Sequence, residues 1–185
     1  MSLGRCLSWF RDLIGGMIHG GRPPVADAAG EYTGFTGKIS WGGTCGDVSE
    51  ASFLLYKSKS GEKEVIWQFG TWLDGEFGNG EWESGIWHKG TWLDGIWKNG
   101  LWHGGFWQNG IWESGSWFDG SWRNGTWESG TWLEGRWHGG IWCDGTWRHG
   151  TWQNGVWRDG TWENGIWHGG SWRGGKCLTG EIRAE

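Results

Sequence analysis

The chain is predicted to be an all-β repeat, either an elongated twisted β-meander ribbon of five-residue units or, alternatively, a β-solenoid, with a short N-terminal helix. Three observations carry this. Glycine falls at every fifth position from Gly70 to Gly180, tryptophan stands three positions before nearly every one, and each unit closes on Asp-Gly, Asn-Gly, Ser-Gly or Gly-Gly with few exceptions. A short fixed period of this kind declares a repeat architecture before it declares any chemistry.

Taken in order, residues 1–19 read as an amphipathic capping or docking helix. Leu3, Leu7, Phe10, Ile14 and Met17 recur at three- and four-residue steps, with Leu7, Trp9, Phe10 and Ile14 as the docking candidates. Residues 20–34 read as a linker, because Pro23 and Pro24 block both helix and ladder bonding. Residues 35–65 read as a β-rich N-terminal cap. Strands are predicted at Phe35–Trp41 and Ser52–Tyr56, the latter turning through KSKSGEK into Glu64–Trp67 as a hairpin. Such a cap is what an open-ended repeat array requires.

From Ile66 to Gly180, 115 residues make 23 units, x-Trp-x-[Asp/Asn/Ser/Gly]-Gly, with Trp in the second slot of 21 and Phe77 and Cys177 in the other two. Residues 181–185 form a tail. Slot one is mostly Thr, Ile or Ser and slot three mostly polar, so slots one to three favour extended backbone. Slots four and five carry the dipeptides of a two-residue hairpin turn. The simplest arrangement is three residues of strand and two of turn with alternating direction, a ribbon of roughly 110 Å at ~4.8 Å per strand. The alternative is a solenoid with glycine at the corners, in which two Trp rows face inward from a flattened ten-residue coil; four per coil are too bulky for a tight square interior.

One row collects Trp72, Trp82, Trp87, Trp92, Trp97, Trp102, Trp107, Trp112, Trp117, Trp122, Trp127, Trp132, Trp137, Trp142, Trp147, Trp152, Trp157, Trp162, Trp167 and Trp172, and is predicted to be the structural core or a binding row. A single layer with that face in water cannot offset the conformational entropy of ordering the chain. The row must therefore be covered by coiling, by a second sheet, by self-association or by a partner.

Units such as Gly95-Ile-Trp-Lys-Asn-Gly100 and Gly160-Thr-Trp-Glu-Asn-Gly165 resemble the G-x-W-x-N-G half of the membrane occupation and recognition nexus (MORN) repeat. That resemblance covers residues 66–180 and half of each family repeat. It implies a twisted ribbon of hairpins that serves as an interaction scaffold, sometimes at membranes. The five-residue period is also similar to that of pentapeptide-repeat proteins, which implies a square β-helix and, for some members, mimicry of DNA. The array further resembles Trp-Gly repeat arrays of phage and bacterial proteins.

The chemistry expected is binding rather than catalysis. A catalytic dyad needs one unusual environment, whereas the repeat supplies many equal ones. His88, His103, His138, His149 and His168 show no ligand spacing, and Cys6, Cys45, Cys143 and Cys177 form no Cys-x-x-Cys pair. Neither metal nor cofactor is expected. A net charge of -5 gives no basic footprint for nucleic acid. The charge is uneven, with two Lys against seven Asp/Glu in residues 66–120, and five Arg and one Lys against five Asp/Glu in residues 121–180. The function expected is a non-catalytic structural or interaction scaffold that binds a protein partner or self-assembles, as in a phage or bacterial assembly. The alternatives are a glycan- or membrane-surface module using the Trp row, and an acidic DNA mimic. An intracellular site is expected, since Arg11 and Asp12 interrupt the only candidate leader.

Overall fold

A computed structural model describes residues 29–57 and 61–179 of the 185-residue chain. The predicted helix, with Leu7, Trp9, Phe10 and Ile14, lies outside the described residues. Within them every regular element is a strand.

The array is a β-solenoid, not a meander. After the long strand β3 (Lys63–Phe77) and the three-residue β4 (Gly80–Trp82), each unit contributes a two-residue strand such as Ser116–Trp117. That strand pairs in parallel with the units fifteen residues away on either side, Trp117 lying between Trp102 and Trp132. Three units therefore complete one coil. The coil has three sides, where the sequence suggested two rows or, by likeness to the square helices, four. About eight such coils, stacked at ~4.8 Å, make a column near 40 Å long instead of a ribbon of 110 Å. The hairpin ribbon implied by the MORN resemblance is not formed.

The reason lies at the corners. A type I′ hairpin needs positive φ at both central residues. Here slot-five glycines from Gly70 to Gly175 have φ between 91° and 147°, while the only non-glycine residue with positive φ among the described residues is Glu50, outside the array. With slot four on the ordinary side of φ, the dipeptide turns the chain without reversing it. The slot-four carboxylate or amide then serves the corner: Asp119 Oδ1 accepts from Gly120 N–H at 2.6 Å, and Asn99 Oδ1 from Gly100 N–H at 2.9 Å.

Two backbone bonds per unit tie each coil to the one before. Ser121 N–H donates to the Gly105 carbonyl at 2.9 Å, and Arg123 N–H to the Trp107 carbonyl at 2.8 Å; the same pair recurs along the array. This tight stacking also excludes any side chain from slot five. A Cβ on Gly120 would stand 2.5 Å from the Gly105 carbonyl oxygen and 3.0 Å from its nitrogen.

Trp in slot two is the only side chain of the unit that points inward. Within one coil successive indoles meet edge to face, as Trp112 with Trp117 at 5.9 Å and 72°, and Trp117 with Trp122 at 6.0 Å and 73°. Between coils they stack, as Trp117 on Trp102 and on Trp132 at 4.7 Å. Both geometries are the favoured ones for aromatic pairs. Most of the row is completely buried, and the charge-free interior leaves sixteen indole N–H groups without an acceptor. Within the repeat row, among the described residues, only Trp87 and Trp152 donate, to the carbonyls of Gly104 and Gly169 at Gly-Gly corners, while Trp41 of the cap donates to the Tyr56 carbonyl. For the rest, the edge-to-face geometry sets an indole edge against a neighbour's π face, a second-order interaction.

The N-terminal cap is built from β1 (Gly30–Trp41) and β2 (Thr44–Lys57). β1 begins at Gly30, inside the stretch read as linker, because its first residues pair with Leu55, Leu54 and Phe53 of β2. β2 runs antiparallel along β3, the first coil, with Phe53 opposite Trp67 and Val48 opposite Trp72. One aromatic column thereby continues beyond the repeats: Phe53 stacks on Trp67 at 5.9 Å, and Tyr32 on Phe53 at 5.0 Å. A true two-residue hairpin does occur here, at Gly42-Gly43, where both φ values are positive. At the opposite end the last described coil leaves Trp167 and Trp172 only partly buried.

Two substitutions test this packing. Trp117→Ala removes an indole that touches four others and is expected to cost ~3–5 kcal/mol in a denaturant melt. Gly120→Ala is expected to cost about 2 kcal/mol or more through its φ of 124° and the Cβ clash. Gly104→Ala, whose Cβ would have no neighbour nearer than 3.8 Å, should fall within ~0.5 kcal/mol of the parent.

The cap carries a pH signature. Tyr56 donates its hydroxyl to Glu64 across the β2–β3 pair, and that bond, aided by burial, pushes the phenol up to about 12 from 10.0. A group whose pKa is raised on folding contributes in full below its unfolded value and loses that contribution as pH rises through its folded value. Melting temperature is therefore expected to fall between pH 10 and about pH 12 more steeply in the parent than in Tyr56→Phe.

Candidate interaction surface

The Trp row is spent on the core. Trp72, Trp82 and every later row member through Trp157 are 0 % exposed, and Trp162 is 1 % exposed. Only Trp167 and Trp172, in the last described coil, are partly open. What the molecule offers outward are slots one, three and four, and the fifteen-residue coil sorts these into columns that the five-residue period hides.

The side that carries Trp72, Trp87, Trp102, Trp117 and Trp132 differs from the other two. Its slot-three column reads Leu73, His88, His103, Phe118, Leu133 over five successive coils, at a position that is polar in most other units. The rings form a continuous stack: His88 lies 5.1 Å from His103 at 14°, and His103 lies 4.9 Å from Phe118 at 10°. Beside it the slot-one column reads Thr71, Ile86, Leu101, Ser116, Thr131. Leu73, Leu101 and Phe118 are 40 %, 38 % and 37 % exposed. The corner column is Asp74, Lys89, Gly104, Asp119, Glu134, in which Lys89 and Asp74 pair at 3.1 Å. Gly104 leaves that corner bare, and just past it Phe106 stands 62 % exposed. Beyond Leu133 the slot-three column turns charged, at Arg148 and Glu163.

The other two sides are mainly polar in slot three, although the first carries Ile96, Ile111, Ile141 and Val156 in slot one and the third carries the exposed Phe106 and Ile166 there. On the first, the slot-three column passes from Glu83 and Glu113 to Arg158 and Arg173, so the charge asymmetry of the sequence becomes a gradient along one side. Lys98 lies 2.8 Å from Glu81 and 3.9 Å from Glu83, and its bond to Glu81 raises its pKa. On the third, Asp94, Asn109 and Asn124 form a side-chain ladder at 3.4 Å, and His138 Nδ1 meets Gln153 Oε1 at 2.9 Å. A shallow groove of about 320 Å³ runs along the corner between the second and third sides, lined by Asp119, Glu134, Arg136, His149, Thr151 and Ile166. His149 and Glu134 approach to 3.9 Å there.

Chemically these columns can recognise but do not converge. Among the described histidines, only His88 and His103 come together, as stacked rings on an apolar column. Among the described residues no group of three or more His, Cys, Asp or Glu is placed to hold a metal ion. The column from Leu73 to Leu133 was missed in the sequence. Its signal was present: four of the five Leu or Phe residues in slot three, namely Leu73, Phe118, Leu133 and Leu178, lie on the second side, with Leu93 the exception.

No family model, no curated protein and no solved structure matches the chain.

Proposed function

We propose that the chain is a non-catalytic interaction scaffold that binds a protein partner, or a further copy of itself, through the outward columns of its second side. The observation that carries this is the stripe Leu73, His88, His103, Phe118, Leu133, apolar or aromatic at five consecutive coils on a surface whose other slot-three columns are mainly polar. Contiguous exposed apolar surface bounded by polar residues marks an interaction site. Phe118 is a natural anchor for it, with Phe106 just across the bare Gly104 corner on the third side. The rigid solenoid contributes preorganisation, since the columns are held at ~4.8 Å intervals by backbone bonds and bind at little conformational cost.

Two other uses draw less support. Stacking on sugars or insertion into lipid needs free ring faces, and the indoles present theirs to one another along the axis. His88, His103 and Phe118 do the same, which leaves mostly ring edges toward solvent. Mimicry of DNA needs a continuous acidic surface, whereas Asp74, Glu83 and Asp94 point from three different sides, the first two beside Lys89 and Lys98.

A photo-crosslinking amino acid placed at Phe118, and separately at Asn124 on the third side, tests the assignment in the protein's native host. A discrete adduct from position 118 and none from 124 is expected. Equal labelling from both, or none from either, would remove the second side as the contact surface.

A further inference from the structure

The stripe on the second side matches in length a segment of its own chain. From Leu73 to Leu133 it spans four coil rises, ~19 Å. Residues 3–17, outside the described part, are predicted from sequence as a helix whose apolar face carries Leu3, Leu7, Phe10, Ile14 and Met17 over a rise of ~21 Å. Five apolar positions about 5 Å apart thus meet five rungs ~4.8 Å apart, and the two rows keep step along the whole stripe. An amphipathic helix recognises an apolar strip in this way, by laying its apolar face against it.

The place where the described chain begins sets the direction. Gly30 pairs with Leu55, and Leu55 with Val65 at the corner between the third and first sides, so β1 starts two strands beyond the first coil. From there the way back to the middle of the second side crosses the third side and drops two strand spacings, about 26 Å over the surface. Residues 18–28 reach ~36–40 Å when fully extended, enough for Leu73 but only just for Leu133, about 38 Å away. Met17 therefore belongs at the Leu73 end and Leu3 at the Leu133 end, with Ile14 beside His88 and Leu7 beside Phe118. Phe10 then comes to His103, where the bare Gly104 corner leaves room for a ring.

Charge agrees in sign. The corner column sets Asp74, Asp119 and Glu134 against Lys89, net -2, and the segment sets Arg5 and Arg11 against Asp12, net +1. The stripe offers a few hundred square ångströms, short of the ~800 Å² that each side of a standard complex buries. A tether removes that requirement, because a short linker holds the segment at an effective concentration in the millimolar range, where weak affinity suffices.

We infer that residues 3–17 of this chain lie along the stripe of the second side, running from Leu133 toward Leu73, and cover it until a partner displaces them. This rests on the scaffold reading above and adds its regulation, since the contact surface is closed by the chain that carries it.

A photo-crosslinking amino acid at position 118, and separately at position 88, of the purified full chain tests it. Light and heavy-isotope chains are mixed in equal parts and the adducts mapped by mass spectrometry. Adducts within one isotope class are expected, from position 118 to the stretch around Leu7 and from position 88 to the stretch around Ile14. Leu7→Asp with Phe10→Asp, which leaves the solenoid untouched, is expected to lower the yield from position 118 at least ~5-fold. Absence of any adduct between position 118 and residues 3–17 overturns the inference, as do adducts that join light chains to heavy ones. An unchanged yield in the double variant overturns it too, and so does the reverse order of labelling, which contradicts the direction the linker imposes. The scaffold reading stands or falls separately in the native host. A foreign adduct from position 118 without an internal one in the parent sinks the cover and leaves the scaffold, whereas an internal adduct in the parent with no foreign one in the double variant leaves the cover and sinks the scaffold.

Discussion

Three indoles per coil, each stacked on the indole fifteen residues away and set edge to face against its neighbours five residues away, are the packing on which the rest of the molecule depends. At 4.7 Å between stacked rings and about 6 Å between edge-to-face rings, the triplet fills a small triangular interior. A spacing of 4.7 Å is also the natural separation of paired strands, so ring stacking and backbone ladder favour the same rise and neither strains the other. Slot five then has no freedom. The chain must turn sharply with its backbone against the backbone of the coil beneath, and the 2.5 Å that a Gly120 Cβ would find to the Gly105 oxygen explains why the glycine period never lapses. Slot two tolerates more: Phe77 stacks on Trp92 at 4.4 Å near the cap, and Cys177 closes the last described coil.

The period of five, the strand character of slots one and two and the need to cover the Trp row were legible in the sequence, while slot three, read as strand, falls outside the two-residue strands. Whether the dipeptide that ends each unit reverses the chain or merely turns it was not. Asn99-Gly100 spells a hairpin by composition, and its geometry is decided by the sign of φ at the asparagine, which ladder partners in other coils impose. Gly42-Gly43 shows the other outcome within the same chain, because glycine at both positions lets both φ values be positive. The coil of fifteen was equally hidden. Slot two is the same residue throughout and carries no phase, while the units with a Gly-Gly corner at His103, His138 and His168 fall on two different sides of the solenoid. The phase was written only in the slot-three apolar residues, four of which fall on one side, too few to stand out until the ladder register assigns the sides.

The interior is uniform, so it cannot account for differences between sides. Every coil presents three sides with equivalent backbone and equivalent cores, and a substitution in slot one, three or four costs the core little. Outward residues are thus free to follow constraints other than folding. On the first side Lys98 is bound to Glu81 and Glu83, and on the third Asn109 bridges Asp94 and Asn124. These are local polar ladders of the kind that parallel stacking produces wherever like units superpose, and they need no partner to explain them.

The second side differs in its slot-three column. Leu73 and Leu101 add little to the fold from their position, being more than a third exposed above a core already closed beneath them, while Phe118, equally exposed, gains the stack on His103. Apolar side chains in water at slot three raise the free energy of the exposed surface by about 25 cal/mol for each Å² left uncovered, and a polar residue there would relieve that at no cost to the stack. Ring stacking accounts for His88, His103 and Phe118, but not for the exposed Leu73 and Leu101, whose cover by a partner would turn their exposure into a gain. The same logic bounds the strength of that cover. Five coils of one narrow side supply a few hundred square ångströms at most, so a partner docked there would be held by a small anchored patch and by the rigidity of the solenoid that presents it.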